Sequence, residues 1–226
     1  LTAPLKASPA VAELLSDVTP TDQPATLLTF DDGGTSFLTE IAPRLEAIGV
    51  RGVFFITTNR LNTPGFLTTA QLRELHQRGH RIGSHTCSHP ERISHLPSAT
   101  LRDEWTRSRE TLESILGVPV QTASIPGGYY ARSVVRAAAA SGYTQLFTSE
   151  PRSRTWDLDG CRLFGRYAIT QSTPTRTALQ LARGERAACL QQWLLWNARK
   201  AAKRFGGPLY EPVRRSLLRW SVATGR

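Results

Sequence analysis

The chain holds no methionine, only three cysteines and only five histidines, and its acidic residues are outnumbered 18 to 28 by basic ones. Each shortage excludes something. Cys87, Cys161 and Cys189 are odd in number and widely spaced, which suits neither a disulfide framework nor a four-cysteine zinc site. They read as free thiols, and free thiols favour a cytoplasmic or membrane-peripheral setting over an exported one. No apolar run reaches the roughly 18 residues that a membrane-spanning helix needs. With no methionine the translation start is not visible, so the lack of an apolar leader in Leu1-Thr2-Ala3-Pro4-Leu5-Lys6 says nothing about a signal peptide.

What is present is a folding composition. At 226 residues, 40% hydrophobic and 20% charged, the chain is long enough for one domain with a full core plus an extension. Residues 1–25 carry four prolines and no clear period, and read as a lead-in segment. From there strand and helix signals alternate. Ala25-Thr26-Leu27-Leu28 leads into a short buried strand, Thr35 to Ile48 is amphipathic up to Gly49, and Val50 to Thr57 is apolar and β-branched. Thr69 caps a helix from Ala70 to Arg78, and Ser98 to Leu116 is a helix with Leu101, Trp105, Ser108, Leu112 and Ile115 on one face, stopped by Gly117. Val120 to Ile125, Ala131 to Ser141 and Gln145 to Thr148 continue as strand, helix and strand, and Leu163 to Ile169 forms a last strand. Alternation of this kind predicts a parallel α/β sheet, closed or nearly closed.

The net charge is +10, and much of it is local: from Arg183 onward ten Lys or Arg face only Glu185 and Glu211. That stretch reads as a helical extension over 171–226, with Leu190, Trp193, Leu194, Asn197, Ala201 and Phe205 along one helix face and a second amphipathic segment from Val213 to Trp220. An anionic membrane surface is the expected partner for it, with Trp193, Trp196 and Trp220 at headgroup level. The alternative is that the extension caps the sheet and leaves its basic face in water. No recognisable module interleaves aromatic and basic residues, so nucleic acid is not expected.

Chemistry concentrates in two short runs. Thr29-Phe30-Asp31-Asp32-Gly33 places two carboxylates at a strand end, where α/β barrels keep their active sites. About fifty residues later, His85-Thr86-Cys87-Ser88-His89 spaces two imidazoles four apart. A helical turn after Arg81-Ile82-Gly83 would set both on one face to grip one cation, with Asp32 as third ligand and Cys87 pointing away. Asp-Gly is also a common turn signal, and taken alone the acidic pair reads as a surface turn. Taken together, the runs make a site: one carboxylate holds the ion while its neighbour stays free to accept a proton from bound water. Zinc is the expected ion, and iron, cobalt or nickel suit the same donors.

These runs resemble the polysaccharide deacetylase family of NodB homology, in which T-F-D-D-G is followed by H-[ST]-x-x-H. The resemblance runs from about Thr26 to about Thr148. It implies an irregular, incomplete (β/α) barrel over 26–170, with Asp31 as catalytic base and Asp32, His85 and His89 as ligands of one divalent ion. The implied reaction removes N-acetyl groups from an amino sugar in a polysaccharide or a lipid-linked glycan precursor. Deformylation or O-deacetylation by the same site, and a non-catalytic metal- or glycan-binding protein, are the alternatives.

The sequence departs from the family in two places. The third motif, usually R-x-P-[YF], reads Ser124-Ile125-Pro126-Gly127-Gly128-Tyr129-Tyr130, with serine where the base-orienting arginine belongs. All five histidines lie between His76 and His95, so the late strand lacks the family's catalytic histidine. Gly127 or Gly128 is expected to offer a backbone N–H to the oxyanion. Arg166 is a second oxyanion candidate, and Tyr130 or Tyr167 a proton donor. His80 reads as a stabiliser of the strand entrance. Trp156-Asp157-Leu158-Asp159 loosely matches the fourth motif, whose aspartate pairs with the missing arginine.

Overall fold

The computed structural model describes residues 26–205. The lead-in segment and the predicted helix from Val213 to Trp220, with Trp220, lie outside the described residues. The chain divides into two compact units, residues 1–168 and 169–226.

The first unit is a curled seven-stranded sheet in the order β1-β2-β3-β4-β5-β7-β6. Its strands are β1 (Thr29–Phe30), β2 (Val53–Ile56), β3 (Arg81–Ser84), β4 (Thr122–Ser124), β5 (Gln145–Phe147), β6 (Trp156–Leu158) and β7 (Cys161–Phe164). All neighbours are parallel except β6 and β7, which form an antiparallel hairpin. Sequential order without a switch point is what successive right-handed βαβ crossovers produce when they wind one way, and the result is a half-barrel rather than a doubly wound sheet. Every parallel strand therefore ends on the same rim, and that rim carries Asp31 and Asp32 after β1, His85 after β3, and Ile125 after β4.

The helices are α1 (Ala42–Glu46), α2 (Thr69–Gln77), α3 (Ser98–Leu116) and α4 (Arg132–Ala140). The amphipathic run expected as one helix from Thr35 to Ile48 instead opens with a π-helical turn, Phe37–Ile41, and only then becomes α1. α2 starts in a capping box, with Thr68 accepting from the Gln71 N–H while the Gln71 side chain accepts from the Thr68 N–H, one residue earlier than the expected cap. α3 has the predicted ends and stops at Gly117, whose φ of 72° favours a residue without a side chain. The hairpin strand β6 was not anticipated, because Pro151-Arg152-Ser153-Arg154 interrupts any strand pattern just before it.

Strand alternation fills two layers. Phe54 and Ile56 point into the main core with Leu72, Leu75, Leu101, Trp105, Leu112, Val134 and Leu146. Val53 and Phe55 point the other way, into a smaller cluster with Phe147 and Phe164. At the opposite end of the sheet from the carboxylates, His80 accepts from the Gly52 N–H through Nδ1 at 3.1 Å and meets Glu46 through Nε2 at 2.9 Å. It anchors the entrance to β3, as expected, and takes no part in a metal site.

The second unit contains α5 (Thr175–Ala182) and α6 (Arg186–Phe205), joined through Gly184 at φ 66°. Leu181 and Ala188 are buried, whereas Leu179, Leu190, Trp193, Leu194 and Leu195 are exposed. Among the described residues no helix is long and apolar enough to cross a membrane.

Candidate metal centre

The two sequence runs meet. Asp32 Oδ1 stands 3.7 Å from His85 Nε2 and 3.6 Å from His89 Nε2, and one donor atom from each of the three residues lies within 4.8 Å of the others. Two ligands about 2.1 Å from one ion at a tetrahedral angle would stand roughly 3.4 Å apart, so the donor set fits a single divalent cation.

The backbone that achieves this is not the expected helix. After β3 the chain runs as an irregular loop, with Thr86 at φ 65° and His89 at φ 55°. Asp32 is at φ 89°, also in the left-handed region that non-glycine residues seldom enter. Three such residues around one cluster cost of order 1–3 kcal/mol each, and the surrounding hydrogen bonds hold them there. The His85 N–H donates to Ile56 O at 2.8 Å, the His89 N–H to Thr86 Oγ1 at 3.2 Å, and Asn59 N–H to Cys87 O at 2.9 Å. Buried Glu104 of α3 receives the Cys87 N–H at 3.0 Å, the Ser88 N–H at 2.9 Å and the Ser88 hydroxyl at 2.6 Å. The sequence signal for Glu104 was a charged residue on the apolar face of α3 beside Leu101, Trp105 and Ser108. Cys87 is buried, and burial raises its thiol pKa.

Ser124 fixes the chemistry of His85. The ring Nδ1 lies 3.0 Å from Ser124 O and 2.6 Å from Ser124 Oγ. A carbonyl oxygen only accepts, so Nδ1 carries the proton and Nε2 presents its lone pair to Asp32 and His89. Burial disfavours the imidazolium and lowers the His85 pKa, although the Asp31 carboxylate pulls the other way. The ring is thus held neutral, as a ligand must be.

Asp31 lies beside this trio without joining it, with Oδ2 at 3.9 Å from His85 Nε2. Arg166 grips it with both arms of its guanidinium, Nη1 to Oδ1 at 2.7 Å and Nη2 to Oδ2 at 2.9 Å, and Ser124 Oγ donates to Oδ1 at 3.3 Å. Burial opposes ionisation of Asp31. The positive charge of Arg166 and hydrogen bonds from Arg166 and Ser124 outweigh that penalty and hold its carboxyl below the ordinary carboxylate value.

The remaining candidates lie outside the trio. Gly127 sits in a short 3-10 turn, Pro126–Gly128, at φ 61°, and a Cβ there would lie 2.9 Å from the Tyr129 ring. Tyr130 packs edge-on against Trp156 with centroids 6.2 Å apart, and the Tyr167 hydroxyl meets Ser153 Oγ at 3.3 Å. Asp157 pairs with Arg162, and Asp159 with Arg132 and Arg136, so the two carboxylates of the fourth-motif region are engaged away from Asp31. Arg166, expected at the oxyanion, is instead committed to Asp31.

A half-barrel with an Asp-His-His trio and a second carboxylate on its strand-end rim defines a class of α/β proteins whose chemistry sits at that rim. The chain belongs to the polysaccharide deacetylase family, which it matches over residues 19–146. Among sequence relatives, YxkH of Bacillus subtilis (strain 168) is 28% identical over 144 residues, covering 64% of this chain and 51% of YxkH. A chitin deacetylase from Pestalotiopsis sp is 34% identical over 90 residues, covering 40% of this chain and 30% of that protein. The chain therefore spans about half, or less, of the length of these relatives. Two solved structures share the fold: IcaB from Ammonifex degensii, with TM-score 0.61, 21% identity and coverage of 78% and 80%, and a de-N-acetylase from Aggregatibacter actinomycetemcomitans, with TM-score 0.60, 24% identity and coverage of 76% and 79%.

Proposed function

We propose that the chain hydrolyses N-acetyl groups from an amino sugar in a polysaccharide or lipid-linked glycan precursor, in a domain spanning 26–170, with residues 171–226 as an accessory extension. The observation that carries the reading is that a second carboxylate, Asp31, flanks the Asp32-His85-His89 trio and is kept ionised and out of it. A binding protein needs only the trio; hydrolysis also needs a base. That the similar proteins include a chitin deacetylase and a de-N-acetylase supports the acetamide as the bond attacked.

In this reading Asp32, His85 and His89 hold one divalent ion, zinc first, which supplies an acidified water and polarises the amide carbonyl. Asp31 accepts the proton at Oδ2, the oxygen nearer the trio, which takes one hydrogen bond, from Arg166 Nη2, while Oδ1 takes two, from Arg166 Nη1 and Ser124 Oγ. The neutral His85 keeps Nδ1–H on Ser124, so it neither competes for that proton nor rotates off the ion. The Gly127 N–H and the Tyr130 hydroxyl remain assigned as oxyanion donor and proton donor, since both follow β4 on the same rim.

The test is release of free amine from N-acetylglucosamine oligomers by the metal-loaded protein, with N-formyl and O-acetyl analogues alongside. Preferential turnover of the acetamide supports the reading. Equal or greater turnover of the analogues transfers it to deformylation or O-deacetylation, and no turnover of any of them leaves the non-catalytic alternative.

One observation favours an additional partner. Leu190, Trp193, Leu194 and Leu195 of α6 are exposed on a chain with net charge +10, the combination that binds anionic bilayer surfaces. Sedimentation with anionic and with neutral vesicles at low salt distinguishes this from a solvent-facing helix. Equal pelleting with both would refute it.

A further inference from the structure

Two neighbouring aspartates stand beside the same pair of imidazoles, and residue type alone does not decide which becomes the ligand and which stays free. Asp32 Oδ1 faces both histidines at 3.6 and 3.7 Å. Asp31 Oδ2 is nearly as close to His85, at 3.9 Å. With an ion in place, a carboxylate at that distance could swing onto it, and a base bound to the ion can no longer accept a proton.

We infer that Arg166 is the positioning residue that divides the labour between the two aspartates: its bidentate grip holds Asp31 off the ion and aims it as the base. The inference rests on the reading of Asp31 as base. Both oxygens of Asp31 are engaged by the fork at 2.7 and 2.9 Å, so turning the carboxylate toward the trio breaks two charge-assisted hydrogen bonds at once. A lysine in the same place would offer a point charge and no fork.

Arg166 is itself held rigidly, which a chance surface ion pair would not be. Nε donates to Thr148 O at 3.0 Å, at the end of β5, and Nη1 also reaches Thr29 Oγ1 at 3.2 Å, on β1. The guanidinium carbon lies 5.7 Å from the centre of the Phe55 ring, and the Arg166 N–H donates to Glu150 O at 2.9 Å. Its side chain is 15% exposed. Gly165 makes the approach possible, because a Cβ there would lie 2.5 Å from Arg152 O and 2.6 Å from Glu150 O. One side chain thus ties the segment after β7 to the first strand of the sheet and sets the base in the same act.

The decisive experiment uses cobalt(II) as the probe ion. In Arg166→Ala the freed Asp31 is expected to enter the coordination sphere, so the visible cobalt spectrum weakens toward that of a higher-coordinate ion. Added guanidinium should restore the wild-type spectrum, and Arg166→Ala combined with Asp31→Asn should not show the change. In turnover, Arg166→Ala should lose about 10²-fold in kcat with KM little altered, the scale of a misplaced reacting group. Arg166→Lys, which keeps the charge and safeguards folding, should recover only part of it. A cobalt spectrum of Arg166→Ala, or of Arg166→Lys if the alanine protein does not fold, that superimposes on wild type overturns the inference whatever the activity. The spectral change appearing in a protein that hydrolyses nothing would support the positioning and fell only the reading of Asp31 as base.

Discussion

Ser124 Oγ lies 2.6 Å from His85 Nδ1 and also donates to Asp31 at 3.3 Å, so one small side chain touches both an imidazole of the Asp32-His85-His89 trio and the carboxylate beside it. Serine stands here where the family carries arginine, and the exchange gives His85 a partner that fixes its tautomer. Ser124→Ala should therefore lower metal affinity by about 10–100-fold while leaving the fold intact, because orienting partners of ligating histidines contribute on that scale. Competition with a chromogenic chelator measures it, and unchanged affinity would show that the Ser124 backbone carbonyl suffices alone.

Asp31→Asn and the double change His85→Ala with His89→Ala should fail in different ways. The first is expected to keep its metal and lose about 10²–10⁴ in turnover, the range of a general base. The second should lose the metal, read by elemental analysis after gel filtration, and with it all turnover. Metal retained by the double variant would sink the ligand assignment, and wild-type turnover in Asp31→Asn would sink the base.

Glu104→Ala should loosen the loop that carries His89. It strands the buried N–H of Cys87, which Glu104 accepts at 3.0 Å, at a cost of about 1–3 kcal/mol, and removes the bond at 2.9 Å that holds the part-buried N–H of Ser88. A lower Tm together with weaker metal binding is the expected result. Loss of Tm without loss of metal affinity would confine Glu104 to the core.

Acid should weaken the fold through the Glu46–Arg78–His80 cluster. The hydrogen bond from Arg78 is the main cause holding the Glu46 carboxyl down at about 2, against an ordinary value of 4.5. A depressed carboxyl stabilises the fold fully above 4.5 and loses that contribution as pH falls towards about 2. His80, whose pKa burial lowers from 6.5, acts in the same direction, since unfolding lets it take up a proton. Glu46→Gln should therefore have a lower Tm than wild type at neutral pH, with the gap closing near pH 2. A gap independent of pH would mean that the carboxylate charge contributes nothing.

The order of strands and helices was legible because periodicity, caps and glycine stops act between residues close in the chain. Ser98 to Leu116 declared both its ends through its apolar face and Gly117, and the two motif runs singled out Asp32, His85 and His89, which the fold brings together, through residue type and spacing. Even so, the grouping of His85 with His89 came right for a different reason than spacing suggested: a loop with left-handed residues, bonded to Glu104 and Ile56, brings the rings to 5.0 Å instead of a helix face. The hairpin strand β6 was hidden because its pairing with β7 is set by the sheet edge it completes. What only the tertiary structure decided is the difference between two adjacent aspartates, since local sequence treats them almost alike. That difference comes from a guanidinium 135 residues away, brought to Asp31 by the curl of the sheet, and no property of Asp31's neighbours in the chain could announce it.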